Sequence, residues 1–245
     1  MTKTIAISGK GGSGKTTLAA AIVRTLIEHA AKPVLAVDAD PNSCLGLTLG
    51  VEPQITIAEI REQTRTKQPA GSSMDRIRSF EYGIQQAVTE AKNFDLLTMG
   101  RPEGPACYCA ANNLLRQFLD KLSSSYRFVV MDNEAGMEHL SRRTTNNVDL
   151  LCIIAEPTPL GTLTARRIFN LAGHLPISVK KIGVIWNKAQ NNNKLDEIET
   201  IGCIPYDQAL FDSSTQNKSI FEIAPNSTAV EAVENIVMQH IMEKM

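Results

Sequence analysis

Short apolar runs alternate with helix-period patterns along almost the whole chain. Residues 4–8 read as a strand, and residues 16 to about 30 follow as a helix. That helix is apolar on most faces (Leu18, Ala21, Ile22, Val23, Leu26, Ile27), as befits a helix packed against a sheet. Residues 34–38 form a continuous apolar run, the mark of a parallel strand covered on both sides. Short helices are expected near Ser43 and over residues 57–62. Residues 63–73, where Pro69, Gly71, Ser72 and Ser73 cluster, read as a loop, and residues 75–92 as a helix.

The alternation then resumes. Residues 94–99 read as a strand and 100–110 as a loop. Asn112 or Asn113 can cap a helix with the face Leu114, Leu115, Phe118, Leu119 and Leu122. Strands are expected at 128–132, 148–155, 182–186 and 201–205, and helices at 161–174, 194–199 and 229–244. The β-then-α order predicts an α/β fold, with one doubly wound, mainly parallel sheet of about 7–8 strands and helices on both faces. With 245 residues, the chain suits a single domain spanning residues 1–245.

Composition removes several function classes. Lys+Arg 25 against Asp+Glu 26 gives a formal charge of −1, so no basic field advertises nucleic acid or an anionic membrane. No apolar run approaches the ~18 residues of a transmembrane helix, and the N-terminus enters the first strand without a signal pattern. Five scattered cysteines suggest reduced thiols. A cytoplasmic protein that engages neither nucleic acid nor membrane is the expectation.

Between the first strand and the first helix lies Gly9-Lys10-Gly11-Gly12-Ser13-Gly14-Lys15-Thr16-Thr17, which fits the phosphate loop G-x-x-x-x-G-K-[ST] at every fixed position. Glycines let successive N–H groups turn inward as an anion nest, and the helix adds its positive end. Gly11, Gly12, Ser13, Gly14, Lys15, Thr16 and Thr17 are therefore the expected nucleotide contacts. Lys15 would reach the β- and γ-phosphates, and the Thr16 hydroxyl would hold Mg²⁺. Asp38 and Asp40 follow the second strand, where acids point into the ligand crevice of a parallel sheet. Asp132 closes the apolar run Phe-Val-Val-Met, as a second Mg²⁺ position requires. ATP or ADP with Mg²⁺ is the expected ligand, and an ATPase the expected activity of this phosphate-loop NTPase.

Lys10, directly after the first glycine, narrows the picture. This variant loop resembles that of the family containing nitrogenase iron protein, the Min and Par positioning ATPases and metal-centre maturation ATPases. The resemblance implies a homodimer in which Lys10 crosses the interface to the nucleotide of the other subunit. It makes Asp40 the water-activating acid and gives Asp38 a part in ordering Mg²⁺ water. It also implies a switch at residues 132–136, hinged at Gly136, with adenine recognition by Asn187 and Lys188 and by a loop of Pro205, Tyr206 and Asp207.

Cys107 and Cys109 lie one residue apart just before a capped helix, whose dipole favours thiolate. Two ligands fall short of the usual four of a structural zinc site, and a two-fold dimer supplies the other two. Four sulfurs suit Zn²⁺, Cu(I) or square-planar Ni²⁺. Together with residues 38–50 and 131–144, the pair resembles the CooC-type ATPases, which assist nickel insertion into carbon monoxide dehydrogenase, with close relatives serving acetyl-CoA synthase. The resemblance therefore implies Ni²⁺ or Zn²⁺ at Cys107 and Cys109, and a nickel-enzyme client. It runs from Lys3 to at least Pro205, but departs over residues 51–93 and at Glu134. Cys44 reads as a small buried residue, Cys152 and Cys203 as core, His139 with Glu138 as switch-helix surface, and Trp186 as packing. A positioning ATPase and an iron–sulfur electron-transfer ATPase are the rival readings.

Overall fold

The apolar runs form strands because each is flanked by helices that can bury both of its faces. In the computed structural model, which describes residues 2–67, 82–101, 122–134, 147–175, 177–191 and 193–242, the strands are β1 Lys3–Gly9, β2 Val34–Ala39, β3 Val88–Glu90, β4 Asp95–Thr98, β5 Phe128–Asn133, β6 Asn147–Ala155, β7 Ser178–Asn187 and β8 Glu199–Ile204. They make one eight-stranded sheet in the order β3-β4-β2-β5-β1-β6-β7-β8. All pairings are parallel except the edge pair β3–β4. The doubly wound, mainly parallel sheet expected from the pattern is therefore present.

The named helices are α1 Lys15–Glu28, α2 Leu45–Leu49, α3 Ile57–Lys67, α4 Pro159–Ala172, α5 Gln208–Thr215 and α6 Thr228–Ile236, the last running into a π-helical turn at Val237–Met242. A 3₁₀ turn covers Ile220–Glu222. On one face, Leu18 and Ile22 of α1 and Val233 of α6 bury Ile5, Ile7, Ala36, Val130 and Cys152. On the other face, Ile57 and Ile60 cover Leu35, Val37 and Met131, while Ala165 and Ile168 of α4 cover Leu151, Ile153 and Val184. Each fully buried Leu or Ile contributes about 1.5–3 kcal/mol over its exposed state. Trp186 and Cys152 are fully buried, as expected, and Cys203 is half-buried in β8.

The structure differs from the pattern in four places. α3 runs to Lys67, past the start of the expected loop. Within the segment expected to be helical over 75–92, residues 82–87 are helical but Val88–Glu90 is a strand. The exposed edge of β4 offers that strand an antiparallel ladder. Residues 194–198 are not helical, because the Asn193 carbonyl is taken by the Trp186 indole N–H at 2.6 Å and the Thr200 hydroxyl at 2.8 Å. α5 was not anticipated; Asp207 caps it by accepting from the Leu210 N–H at 3.1 Å. The helix expected after Asn112 lies outside the described residues as far as residue 121; residues 122–123 are helical.

Candidate functional site

Parallel pairing brings the carboxyl ends of β1, β2 and β5 side by side, and the expected phosphate loop springs from β1. Gly12 and Gly14 have φ of 76° and 98°, left-handed values that glycine adopts without a Cβ penalty. Ser13 closes the loop, its N–H and hydroxyl both donating to the Lys10 carbonyl at 3.2 and 2.8 Å. Lys15 is buried and reaches the same carbonyl with Nζ at 3.4 Å, whereas the Lys10 side chain is exposed. α1 starts at Gly14 with no side-chain cap and no acid in its first turn. Its positive end is thus left for an anion.

Asp38 and Asp132 are register partners, with Ile7 and Thr98 as the next positions on either side of the row. Asp38 Oδ2 accepts from the Leu45 N–H at 2.8 Å and Oδ1 from the Asp40 N–H at 3.2 Å. Burial pushes the Asp38 carboxyl up to about 7; its backbone hydrogen bonds oppose the shift and the neighbouring Asp132 charge adds to it. Neither oxygen of Asp132 receives a hydrogen bond, although it is fully buried. Burial raises its pKa to about 6; the nearby Thr16 hydroxyl, outside hydrogen-bonding geometry, and the Lys15 ammonium favour the charged form. A buried carboxylate without partners, beside a second one, fits a hard divalent cation. Mg²⁺ is held by one or two carboxylates and keeps most of its water.

Asp40 sits in the turn after β2, half-buried, with Oδ1 accepting from both the backbone N–H and the side-chain amide of Asn42 at 2.9 Å. Cys44, expected to be buried, is exposed. Its turn carries the chain away from the sheet before Leu45 re-enters the core, and the thiol donates to the Asn42 carbonyl at 3.5 Å. Burial of its sulfur and then the charges of Asp38, Asp40 and Asp132 raise its pKa.

The far end of the site is a cavity of about 200 Å³ reaching from Gly12, Gly14 and Thr17 to Asn187, Lys188, Pro205, Tyr206 and Asp207. The structure thus gathers the residues expected to hold the base. Asn187 closes β7, donating from Nδ2 to the Ser13 carbonyl at 2.8 Å and accepting at Oδ1 from the Lys188 N–H at 3.0 Å. Asp207 caps α5 and also accepts from the Ser227 hydroxyl at 2.7 Å, so it joins α5 to the start of α6. Burial alone would raise its pKa, but hydrogen bonds from Ser227, Leu210, Ala229 and Thr228 hold the carboxyl below its usual range. Phe211 lines the same cavity and was not among the residues singled out in the sequence. Its signal was an aromatic residue one position after the inward-facing Leu210 of a helix capped by Asp207.

Cys107, Cys109, Gly136, Glu138 and His139 lie outside the described residues. Among the described residues, no group of three or more His, Cys, Asp or Glu side chains could hold a metal ion. No helix there is long and apolar enough to cross a membrane.

The family model of the CobQ/CobB/MinD/ParA nucleotide binding domain matches residues 4–220. An uncharacterised ATP-binding protein of Methanocaldococcus jannaschii is 40% identical, with the match covering 98% of this chain and 99% of that protein. The carbon monoxide dehydrogenase accessory protein CooC of Rhodospirillum rubrum is 30% identical, over 90% of each chain. The crystal structure of a ParA family ATPase from Chlorobium tepidum shares the fold, with a TM-score of 0.72 at 20% identity, over 97% of this chain and 98% of that one.

Proposed function

The chain belongs to the CobQ/CobB/MinD/ParA family of nucleotide-binding domains, and from that premise we propose that it is a homodimeric ATPase that assists nickel insertion into carbon monoxide dehydrogenase or acetyl-CoA synthase. The observation that carries the ATPase reading is Asp132, a fully buried carboxylate without a hydrogen bond near the uncapped start of α1. Phosphoryl transfer needs positioning and charge stabilisation more than covalent chemistry. The α1 N–H groups and Lys15 bind and orient the phosphates. Asp40 orients the attacking water at the γ-phosphorus, and Lys10 of a second copy completes the charge stabilisation. Thr16, Asp38 and Asp132 would hold Mg²⁺, which when bound neutralises charge on the phosphate oxygens.

The nickel part of the reading is supported by the CooC relative and by Cys107 and Cys109, which a two-fold axis would double to four thiolates. The metal would travel as cargo. Elemental analysis of purified dimer, loaded with Ni²⁺ or Zn²⁺ with and without ATP, tests it directly. About one metal per dimer is expected, absent in the Cys107→Ala/Cys109→Ala variant. Metal retained by that variant would contradict the site. A positioning role of the Min or Par kind would use the same nucleotide chemistry, and ATP-dependent sedimentation with lipid vesicles or DNA would favour it instead.

A further inference from the structure

The base end of the site has few hydrogen-bonding groups to spare. Asn187 gives one amide N–H to Ser13 and one lone pair to the Lys188 N–H, leaving one of each. The Lys188 ammonium pairs with Glu156 at 2.8 Å. Asp207 uses one oxygen to cap α5 and the other on Ser227 and Thr228. These side chains build the wall of the cavity more than they offer contacts within it.

Two aromatic rings stand open in the same wall. Tyr206 is 53% and Phe211 52% exposed, and both line the cavity that reaches Gly12 and Thr17. Their centroids are 6.4 Å apart with 39° between the ring planes, so they form an open corner and not a stack. Each ring is held from behind. The Tyr206 hydroxyl donates to Gln208 at 3.0 Å, and Gln208 donates to Asp212 at 2.7 Å. Phe211 is carried by the first turn of α5, whose start Asp207 fixes and whose Leu210 packs on the core. An aromatic ring left half in water forgoes the burial that favours its position in a fold, and a ligand with a flat apolar face restores it.

We propose that Phe211 is the stacking face for the base of the bound nucleotide, with Tyr206 closing the corner, and that this platform sets a preference for purine over pyrimidine triphosphates. The inference rests on the ATP-binding reading above and adds the residue that holds the base. Stacking needs only a π-face, so a purine, with its larger face, gains more than a pyrimidine.

Calorimetric titration of the full chain with the magnesium complexes of ATP, UTP and tripolyphosphate tests it. Wild type is expected to bind ATP more tightly than UTP. Phe211→Ala is expected to raise the ATP Kd about 5- to 100-fold, to narrow the gap between ATP and UTP, and to leave tripolyphosphate affinity within about 2-fold; Phe211→Trp is expected to retain ATP affinity. If wild type binds none of the three, the ATP-binding reading itself fails. If wild type binds ATP and Phe211→Ala binds it equally well, or loses tripolyphosphate in the same proportion, the stacking role is overturned.

Discussion

Asp38 and Asp132 stand opposite each other on β2 and β5, both fully buried, and only Asp38 has hydrogen bonds. The sheet thus holds two acids side by side in a place that disfavours their charge. Burial raises Asp38 to about 7 and Asp132 to about 6. These folded-state values exceed the unfolded ones, so the folded chain binds more protons between about pH 4 and 7. Stability of the nucleotide-free protein therefore falls as pH rises through that window.

Asp132→Asn removes one of these charges. Its stability relative to wild type is expected to grow from near zero at about pH 4 to about 3 kcal/mol above about pH 7, in urea denaturation without nucleotide. A difference independent of pH would show that the Asp132 charge is not what the fold resists.

Gly14→Ala is expected to strain the loop twice over. The backbone at φ 98° disfavours a Cβ, and that Cβ would lie 2.5 Å from Asn187 Nδ2, displacing the amide from the Ser13 carbonyl. A loss of about 2 kcal/mol or more is expected in urea denaturation. ATP affinity, read by calorimetry, is expected to fall with it. Wild-type stability would contradict the tether between β7 and the phosphate loop.

Asp40→Asn is expected to keep MgATP affinity within about 3-fold while lowering turnover about 100-fold or more. The substitution preserves a side-chain oxygen for the Asn42 contacts but removes the charge. Phosphate release at an unaltered rate would take the water-orienting role away from Asp40.

The phosphate loop, the acids at the strand ends and the buried strands were legible because short-range rules govern them. Gly12 and Gly14 advertise left-handed backbone, and Asp38 and Asp132 interrupt apolar runs where strands must end. What escaped depended on partners distant in sequence. Val88–Glu90 is a strand only because β4 offers an edge. Residues 194–198 are not helical, since Trp186 and Thr200 claim the Asn193 carbonyl. Asp207 could be singled out as a base-flanking residue, but its bond to Ser227, which couples two helices, appears only in three dimensions. Phe211 was missed for the same reason: its place in the cavity depends on that cap and on β7 lying alongside.

The claim that Lys10 serves the site of a second copy is tested most directly by mixing two inactive variants. Lys10→Ala leaves its own Asp40 intact but supplies no lysine to the other subunit; Asp40→Asn supplies the lysine but cannot orient water. When the two are mixed and allowed to exchange subunits, half of the dimers carry both variants, each with one complete site. Steady-state phosphate release is expected to recover to about a quarter of wild type. No recovery on mixing, or full activity of Lys10→Ala alone, would contradict a shared site.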